Sequence, residues 1–358
     1  MQILDWYIIK KFLGTFFFMI GAFCIIAVVF DVSENIEDFV NSEAPLDEIL
    51  IDYYLNFCLF FGNLLSSFII FLTIILFTSR LAQNTEVIAM LSGGTSFARV
   101  MRPYFIASTF LVILSLILAH VILPIANRKK VDFEFEYTKT FRISDQNMYR
   151  EIAPGSVAYF RQITADRAVG YKFNLEQWED GQLKSKITAS KAKFLPDQEI
   201  WKLTDVRKRT IHDDGFETLE HFNELDTALV MRISDFAERK EIISTMGFNA
   251  LREHIDKVKE KGSGDEARIE IELYSRTSNA FAIYVLTLIG VSIAARKVRG
   301  GTGVHLFLAV LVGFSYIFCQ KLTTVAATNV GMPAWLAVWV PNMLFLVLGI
   351  VIYIRAPK

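Results

Sequence analysis

Histidine and cysteine, the residues that most often bind metals or act as nucleophiles, show no pattern typical of a site in this sequence. None of the five histidines stands at a metal-ligand spacing from another within a helix or a hairpin. The three cysteines, Cys24, Cys58 and Cys319, all lie inside apolar runs, which argues against a disulfide framework or a zinc site. We therefore predict that the chain has no metal site and no catalytic residues.

Phosphate binding is the next chemistry to consider. The sequence contains no Gly-x-x-x-x-Gly-Lys-Ser/Thr loop for a nucleotide. The glycine-rich run from Gly300 to Gly303 lacks both the lysine and a preceding strand, so we interpret it as a loop between membrane helices. The formal net charge of −1 does not favour nucleic acid as a partner. We expect no cofactor in this chain.

One charged residue, Lys321, interrupts the longest apolar run of the sequence, next to Gln320. A cation within a membrane span is a candidate functional residue, and an anionic lipid headgroup is its most obvious ligand. Alternatively, the long side chain extends to the membrane interface, which is the interpretation that we favour. Lys321 is therefore a lipid-contact candidate with a purely structural alternative.

The elements that carry these residues are predicted from the apolar residues, which make up 53% of the chain. About 20 helical residues cross the hydrocarbon core of a bilayer. Charge-free stretches of sufficient length lie at 12–30, 55–79, 103–127 and 277–295, and a longer one, broken only by Lys321, lies at 300–354. The longest stretch divides at Gly331 and Pro333, where a turn is expected, so we predict six spans.

A polar insert separates the third span from the fourth. Strand-like runs, separated by turn residues at short spacing, lie at 157–164, 171–178, 183–194, 199–211 and 216–222. This spacing predicts a sandwich or a barrel-like sheet. A helical pattern of apolar residues follows at Phe248, Leu251, Ile255 and Val258.

The predicted fold is therefore a polytopic α-helical membrane protein, with three spans on each side of an inserted extracytoplasmic all-β, jellyroll-like domain. We place the N-terminal membrane half at 1–127, the β domain at 128–247, a helical connector at 248–276 and the C-terminal membrane half at 277–358. Basic residues such as Arg80, Arg102 and Lys297 lie on the side of the termini, whereas the segment 31–52 has eight carboxylates and no basic residue. By the positive-inside rule, both termini are expected in the cytoplasm.

The segment between spans two and three has the most informative pattern. Asn84 or Thr85 is expected to cap a helix that begins near Glu86, whose carboxylate favours a helix N-terminus. The helix has an apolar surface formed by Val87, Ile88, Met90 and Leu91, and Gly93 and Gly94 end it. An apolar helix of this kind lies either in the membrane interface or in a groove of a partner protein.

The same segment resembles the coupling segment of the LptF/LptG (YjgP/YjgQ) family of lipopolysaccharide-export permeases. The matching positions are Glu86, Ala89, Gly94, Ser96, Arg99 and Pro103. The similarity extends to 4–13 at the start of the chain, to 270–276 and to 332–342 in the last span. The last of these stretches is more similar to the LptG members than to the LptF members.

This resemblance implies a non-catalytic permease half of an ABC transporter in the bacterial inner membrane, with ATP and Mg²⁺ held by a separate LptB-like ATPase dimer. It also implies a second LptF/LptG-type permease, an LptC-like periplasmic bridge protein and lipopolysaccharide as the lipid that is moved. The helix at about 84–96 would then dock on the ATPase. Phe160 and Phe173, in the β domain, and Lys321 are the residues expected to contact lipid.

Three departures from the family pattern accompany the resemblance. Leu91 replaces a common basic residue, Ala280 replaces a proline, and the outer end of the first span is acidic at 31–38 instead of basic. Carboxylates repel lipid phosphates, and the basic residues Arg128, Lys129 and Lys130 are candidates to compensate. Two alternatives stay open: an ABC permease for another envelope lipid or for lipoproteins, and a membrane-anchored periplasmic sensor or scaffold.

Overall fold

The computed structural model describes residues 3–41, 44–137, 144–164, 169–179, 181–195, 200–212, 214–227, 229, 240–260, 266–298 and 300–356. They form two compact units. The membrane unit comprises Met1–Phe133, Ser244–Arg252 and Ala267–Lys358. The sheet unit comprises Glu134–Ile243 and Glu253–Glu266.

Six helices in the described part of the chain are long and apolar enough to cross a membrane, three before the sheet and three after it. The first three are α1 (Ile3–Asn41), α3 (Asn56–Gln83) and α5 (Phe97–Ile117). The last three are α9 (Glu266–Ala294), α10 (Gly301–Val330) and α11 (Ala334–Ile354). The predicted fold class is confirmed.

Shorter elements connect or extend these helices. A short helix, α2 (Leu46–Glu48), and a π-helical turn, Ile49–Leu55, precede α3. Another π-helical turn, Leu118–Ile122, joins α5 to α6 (Leu123–Tyr137). The remaining short helices are α4 (Glu86–Ser92), α7 (Lys240–Thr245) and α8 (Phe248–Glu260).

Two helices extend well beyond the apolar runs that predicted them. Helix α1 continues to Asn41 and carries the carboxylates of Asp31 and Glu34, and the third apolar helix continues through α6 to Tyr137. The length of an apolar run is set by the thickness of the hydrocarbon core, whereas the helix itself can continue into water, where its polar side chains are hydrated. The length of a run therefore predicts a span but not the end of its helix.

The core of the membrane unit lies where α1, α3, α5 and α9 meet. Phe12, Ile74, Tyr104 and Ile283 are fully buried there. Helices α3 and α9 approach closely at Gly290, since a Cβ atom at this position would lie 2.9 Å from Cγ2 of Ile74. Small residues permit such close packing between membrane helices, where dispersion forces replace the hydrophobic effect.

The insert contains six strands in one antiparallel sheet, in the order in which they follow each other along the chain. They are β1 (Ser144–Ala153), β2 (Ser156–Thr164), β3 (Val169–Glu179), β4 (Gln182–Leu195), β5 (Ile200–Ile211) and β6 (Glu217–Thr227). The last five correspond to the predicted strand-like runs, and β1 is additional. The prediction of an all-β insert is thus confirmed.

The sheet is strongly bent. Phe160 on β2 and Trp201 on β5 belong to strands three positions apart, which in a flat sheet lie about 14 Å from each other. Their ring centroids are only 5.6 Å apart. Both rings are fully buried with Phe173, so the inner face of the sheet encloses an aromatic core.

A crease crosses the middle of the sheet, where the alternation of inward and outward side chains shifts by one residue. In a regular strand, one outward-facing residue separates two buried ones, but at the crease two residues separate them. The buried positions on either side are Gly170 and Phe173 on β3, Ala189 and Ala192 on β4, and Leu203 and Val206 on β5. Lys172 and Asp205 lie on this line and have positive φ angles of 52° and 55°. The crease therefore places extra polar side chains on the outer face of the sheet.

Candidate functional site

The segment that joins α3 to α5 contains most of the predicted site residues, and its helix α4 begins at Glu86 as expected. Thr85 occupies the N-cap position, but its backbone is left-handed, with φ at 64°, and its side chain makes no capping hydrogen bond. Its hydroxyl donates instead to the carbonyl oxygen of Asn84, 2.6 Å away. The prediction of a side-chain cap by Thr85 or Asn84 was therefore wrong, because the chain turns too tightly there.

Helix α4 ends in a Schellman motif, as its glycines predicted. The N–H of Gly94 donates to the carbonyl of Leu91 at 3.0 Å, and the N–H of Thr95 donates to that of Met90 at 3.2 Å. Gly94 has a φ of 82°, which is a conformation that side chains with a Cβ atom disfavour. Glycine at this position is thus required by the backbone geometry.

The apolar surface predicted for α4 divides into two faces. Val87 is buried and Leu91 is half-buried, and both pack against the cluster that includes Leu81, Phe97 and Met101. The opposite face exposes Ile88 and Ala89, together with Ser92 and the two glycines. One face thus fixes α4 to the membrane unit, and the other presents a small, largely apolar surface.

Ser96 and Arg99, two further predicted site residues, have clear structural roles. Ser96 is the N-cap of α5, and its hydroxyl accepts a hydrogen bond from the N–H of Arg99 at 3.4 Å. The guanidinium of Arg99 donates to both carboxylate oxygens of Asp5, at 2.7 and 2.9 Å. Asp5 is buried, and a bidentate pair of this kind fixes α5 to the first turn of α1.

Polar side chains in the C-terminal spans form a network that sequence reasoning missed. The amide of Asn342 donates to the hydroxyl and the carbonyl oxygens of Ser278, both at 2.9 Å. Its side-chain carbonyl accepts from the hydroxyl of Tyr316 at 2.8 Å. These contacts join α11 to α9 and α10. The sequence did contain one indication of this network, because Asn342 is an amide within the apolar run of the last span.

A second missed network lies around Arg276, which is buried near the start of α9. Its guanidinium donates to the carboxylate of Glu272 at 3.1 Å and to the carbonyl of Met246 at 2.9 Å. It also lies 3.4 Å from the carbonyl of Ser244, which accepts a second hydrogen bond from the amide of Asn127. Arg276 thereby holds the C-terminal end of α7 and the residue Met246 that follows it against α9.

The predicted lipid-contact residues lie in two different environments. Lys321 is exposed on α10, and its neighbour Gln320 turns inward to donate to Asn279 at 3.0 Å. Phe160 and Phe173 are fully buried in the sheet unit, with ring centroids 4.8 Å apart. Their contact with lipid remains a prediction, and it requires the aromatic core of the sheet to open.

Polar and cation–π contacts are found near the acidic C-terminal end of α1. Asp31 accepts a hydrogen bond from the hydroxyl of Tyr53 at 3.2 Å. The ammonium of Lys129 lies 3.0 Å from the carboxylate of Asp52, and that of Lys130 lies over the rings of Tyr53 and Phe57. The basic run after the third apolar stretch is therefore partly engaged by groups of the membrane unit.

An apolar cavity of about 210 Å³ lies between α1, α3 and α5. Phe17, Ile20, Leu59 and Leu111 line it, among others, and its surface is almost entirely hydrocarbon. An apolar lining of this kind favours apolar groups over polar ones. Among the described residues, no group of three or more His, Cys, Asp or Glu side chains lies close enough together to hold a metal ion.

Comparison with known proteins identifies the family. The model of the family described as "Lipopolysaccharide export system permease LptF/LptG" matches residues 6–355. The chain is 24% identical over 195 residues to the "Lipopolysaccharide export system permease protein LptG" of Haemophilus influenzae, and the match covers 53% of each protein. The matched region thus spans about half the length of this curated relative. Because the family match extends over nearly the whole chain, the protein belongs to the LptF/LptG family of lipopolysaccharide export system permeases.

Proposed function

We propose that this protein is a permease subunit of an ABC transporter that extracts lipopolysaccharide from the inner membrane and passes it to a periplasmic bridge. The observation that carries the proposal is the six-span architecture around a β insert, over the same residues that match the family. The subunit has no catalytic residues, and its work is mechanical. ATP and Mg²⁺ are bound by a separate LptB-like ATPase dimer.

The proposed orientation places both termini in the cytoplasm and the sheet in the periplasm. Basic residues such as Arg80, Arg102 and Lys297 flank the spans on the side of the termini, which supports it. The transporter contains a second LptF/LptG-type permease, and an LptC-like protein receives the lipid. Lipopolysaccharide passes the aromatic core around Phe160 and Phe173.

The exposed face of α4 is the proposed contact with the ATPase. Ile88 and Ala89 give it an apolar centre, and Glu86 lies at its N-terminal edge. Val87 and the pair formed by Arg99 and Asp5 join the segment to α1, α3 and α5. Because the segment is fixed to three helices, a displacement imposed by the ATPase would move these helices as well.

The test is a substitution on this face that leaves the packed face intact. Ala89→Trp adds a large side chain to the exposed face of the helix, and Glu86→Lys reverses the charge at the N-terminal edge. We expect both variants to insert normally but to lose ATPase binding in pull-downs from native membranes, and ATP-driven lipid release with it. Ser33→Trp, on the exposed surface of α1, is the control. Normal ATPase binding by both variants would contradict the proposal.

The alternatives differ from this proposal in testable ways. Lipoprotein-release and macrolide-export permeases have a different layout, with one span before the large domain and three after it. This chain has three spans before its insert. A membrane-anchored sensor or scaffold would copurify with no ATPase at all. Pull-down from native membranes therefore separates the sensor hypothesis from the transporter hypothesis.

A further inference from the structure

The outer face of the sheet, opposite the aromatic core, carries many charges, and several of them form cross-strand ion pairs. The ammonium of Lys186 lies 2.8 Å from the carboxylate of Glu176, and that of Lys202 lies 2.7 Å from Glu224. The guanidinium of Arg209 pairs with Glu217. Cross-strand pairs of this kind are ordinary features of a solvated sheet.

The centre of the same face differs from its surroundings. A groove of about 600 Å³ crosses the crease and is lined by three cations, Arg161, Lys172 and Arg207. Asp205 is the only carboxylate among its described lining residues, and it accepts a hydrogen bond from Nε2 of His221 at 3.0 Å. In the described part of the chain, neither Arg161 nor Lys172 forms an ion pair. With three cations and one carboxylate in its lining, the groove is a positively charged part of this face.

Neutral polar groups lie between these cations. The hydroxyl of Ser190 donates to the carbonyl of Thr204 at 3.0 Å, which leaves its oxygen free to accept. Asn174 contributes an amide with both donors and an acceptor to the lining. Cations combined with neutral donors and acceptors suit a ligand that carries both an oxyanion and hydroxyl groups.

We propose that this groove binds a phosphorylated saccharide, specifically the headgroup of the lipid that the protein exports, a proposal that rests on the function proposed above. Arginine binds phosphate through paired hydrogen bonds, and lysine contributes a compact charge. The volume of the groove exceeds the size of a single phosphate and accommodates a sugar ring beside it. The crease creates the site, because it places Lys172 and Asp205 on the outer face next to Arg161 and Arg207.

The first test measures binding to the full chain in lipid nanodiscs, without ATPase, so that a failure of the export proposal leaves the result interpretable. The probes are glucose 6-phosphate, glucose and inorganic phosphate. We expect glucose 6-phosphate to bind more tightly than either fragment, and R161Q/K172Q/R207Q to weaken its binding at least tenfold. The control K186Q/K193Q/K202Q removes the same charge outside the groove and should bind normally.

The outcomes that would overturn this proposal are distinct. Equal weakening by the control would show a general charge effect, and no binding of any probe would show that the groove is not a site. Inorganic phosphate that binds as tightly as glucose 6-phosphate would refute the saccharide component. None of these results depends on whether α4 contacts an ATPase.

A second test identifies the natural occupant. A photo-crosslinker at Asn174, inside the groove, should capture the saccharide of lipopolysaccharide in cells, whereas one at Leu219, exposed on β6 outside the groove, should not. Capture of a protein at Asn174 instead would overturn the proposal and assign the groove to an acidic protein surface. Equal capture of lipopolysaccharide at both positions would also overturn it.

Discussion

The membrane unit and the sheet unit are held together by different kinds of contact. In the sheet unit, large rings such as Phe160, Phe173 and Trp201 are buried in one core, and ion pairs such as that of Lys186 with Glu176 lie at the surface. In the membrane unit, apolar side chains lie both inside and outside, and hydrogen bonds between side chains are found in the interior. Asn342 with Ser278 and Ser108 with Thr287 are the clearest examples.

This difference follows from the solvent of each unit. Water drives apolar rings into the core of the sheet, so hydrophobicity alone decides which residues are inside. Lipid chains solvate a leucine as well as a protein interior does, so hydrophobicity does not choose between two faces of a membrane helix. Small residues and hydrogen bonds then determine which helices meet. A mutation should therefore have effects of different size in the two units.

The largest effect is expected for Trp201→Ala in the sheet core. Trp201 is fully buried against Phe160 and Phe194, so removing its ring leaves a cavity and should cost about 3–5 kcal/mol of unfolding free energy. Hydrogen exchange of β2 to β5 in the full chain measures this loss. Trp178→Ala, at a half-exposed ring on β3, is the control and should change exchange little. Similar effects of both variants would remove the distinction between core and surface.

An intermediate effect is expected for Asn342→Leu in the membrane unit. The substitution replaces the amide with an apolar side chain that has the same number of heavy atoms, and it removes the hydrogen bonds to Ser278 and Tyr316. Hydrogen bonds between membrane helices average about 0.6 kcal/mol, with a maximum near 1.7, so we expect a loss of about 1 kcal/mol. Thermal unfolding in detergent measures it, with the exposed Met343→Leu as the matched control. If Asn342→Leu proved neutral, packing alone would specify how these helices associate.

The smallest effect is expected from acidification of the sheet surface. Hydrogen bonds from His221 and Arg209 hold the pKa values of Asp205 and Glu217 below their ordinary values of 3.8 and 4.5. Because the folded forms release their protons more readily, both carboxylates stabilise the fold above those values. This contribution is lost as the pH falls through the lower pKa values of the folded state.

Hydrogen exchange of β5 and β6 measured from pH 6 to pH 3 tests this expectation. Glu217→Gln should reduce the loss of protection on acidification, and the effect should be small because both carboxylates are solvated. Glu179→Gln, at the exposed end of β3, should leave the pH dependence unchanged. An unaltered pH dependence in Glu217→Gln would show that its pair with Arg209 contributes nothing to stability.

Local patterns in the sequence were sufficient for the spans, the helix α4 with its glycine end, and five of the six strands. Strand β1 was missed because Ser144–Ala153 is rich in polar residues and lacks an apolar alternation. The cap of α4 was predicted incorrectly because the left-handed backbone of Thr85 results from the path between two membrane helices. Helix and capping propensities are local properties of a residue and contain no information about such a path.

The partners of the site residues could not be predicted in the same way. Arg99 matches a family motif, but its partner Asp5 lies 94 residues earlier in the chain. Asn342 and Ser278 are separated by 64 residues, and Arg276 and Ser244 by 32. Sequence spacing identifies residues on one face of one element, whereas these contacts depend on which elements become neighbours.

The pair formed by Asp5 and Arg99 also has a consequence for biosynthesis. At about 5–20 residues per second, the ribosome needs about 5–20 s to add the residues between them. During this interval the carboxylate of Asp5 lacks the guanidinium that later binds it, and the first helix has no fixed neighbour at its start. We expect the insertion machinery to retain this helix until the third span emerges, so a ribosome stalled before Arg99 should leave α1 accessible to crosslinking with the insertase.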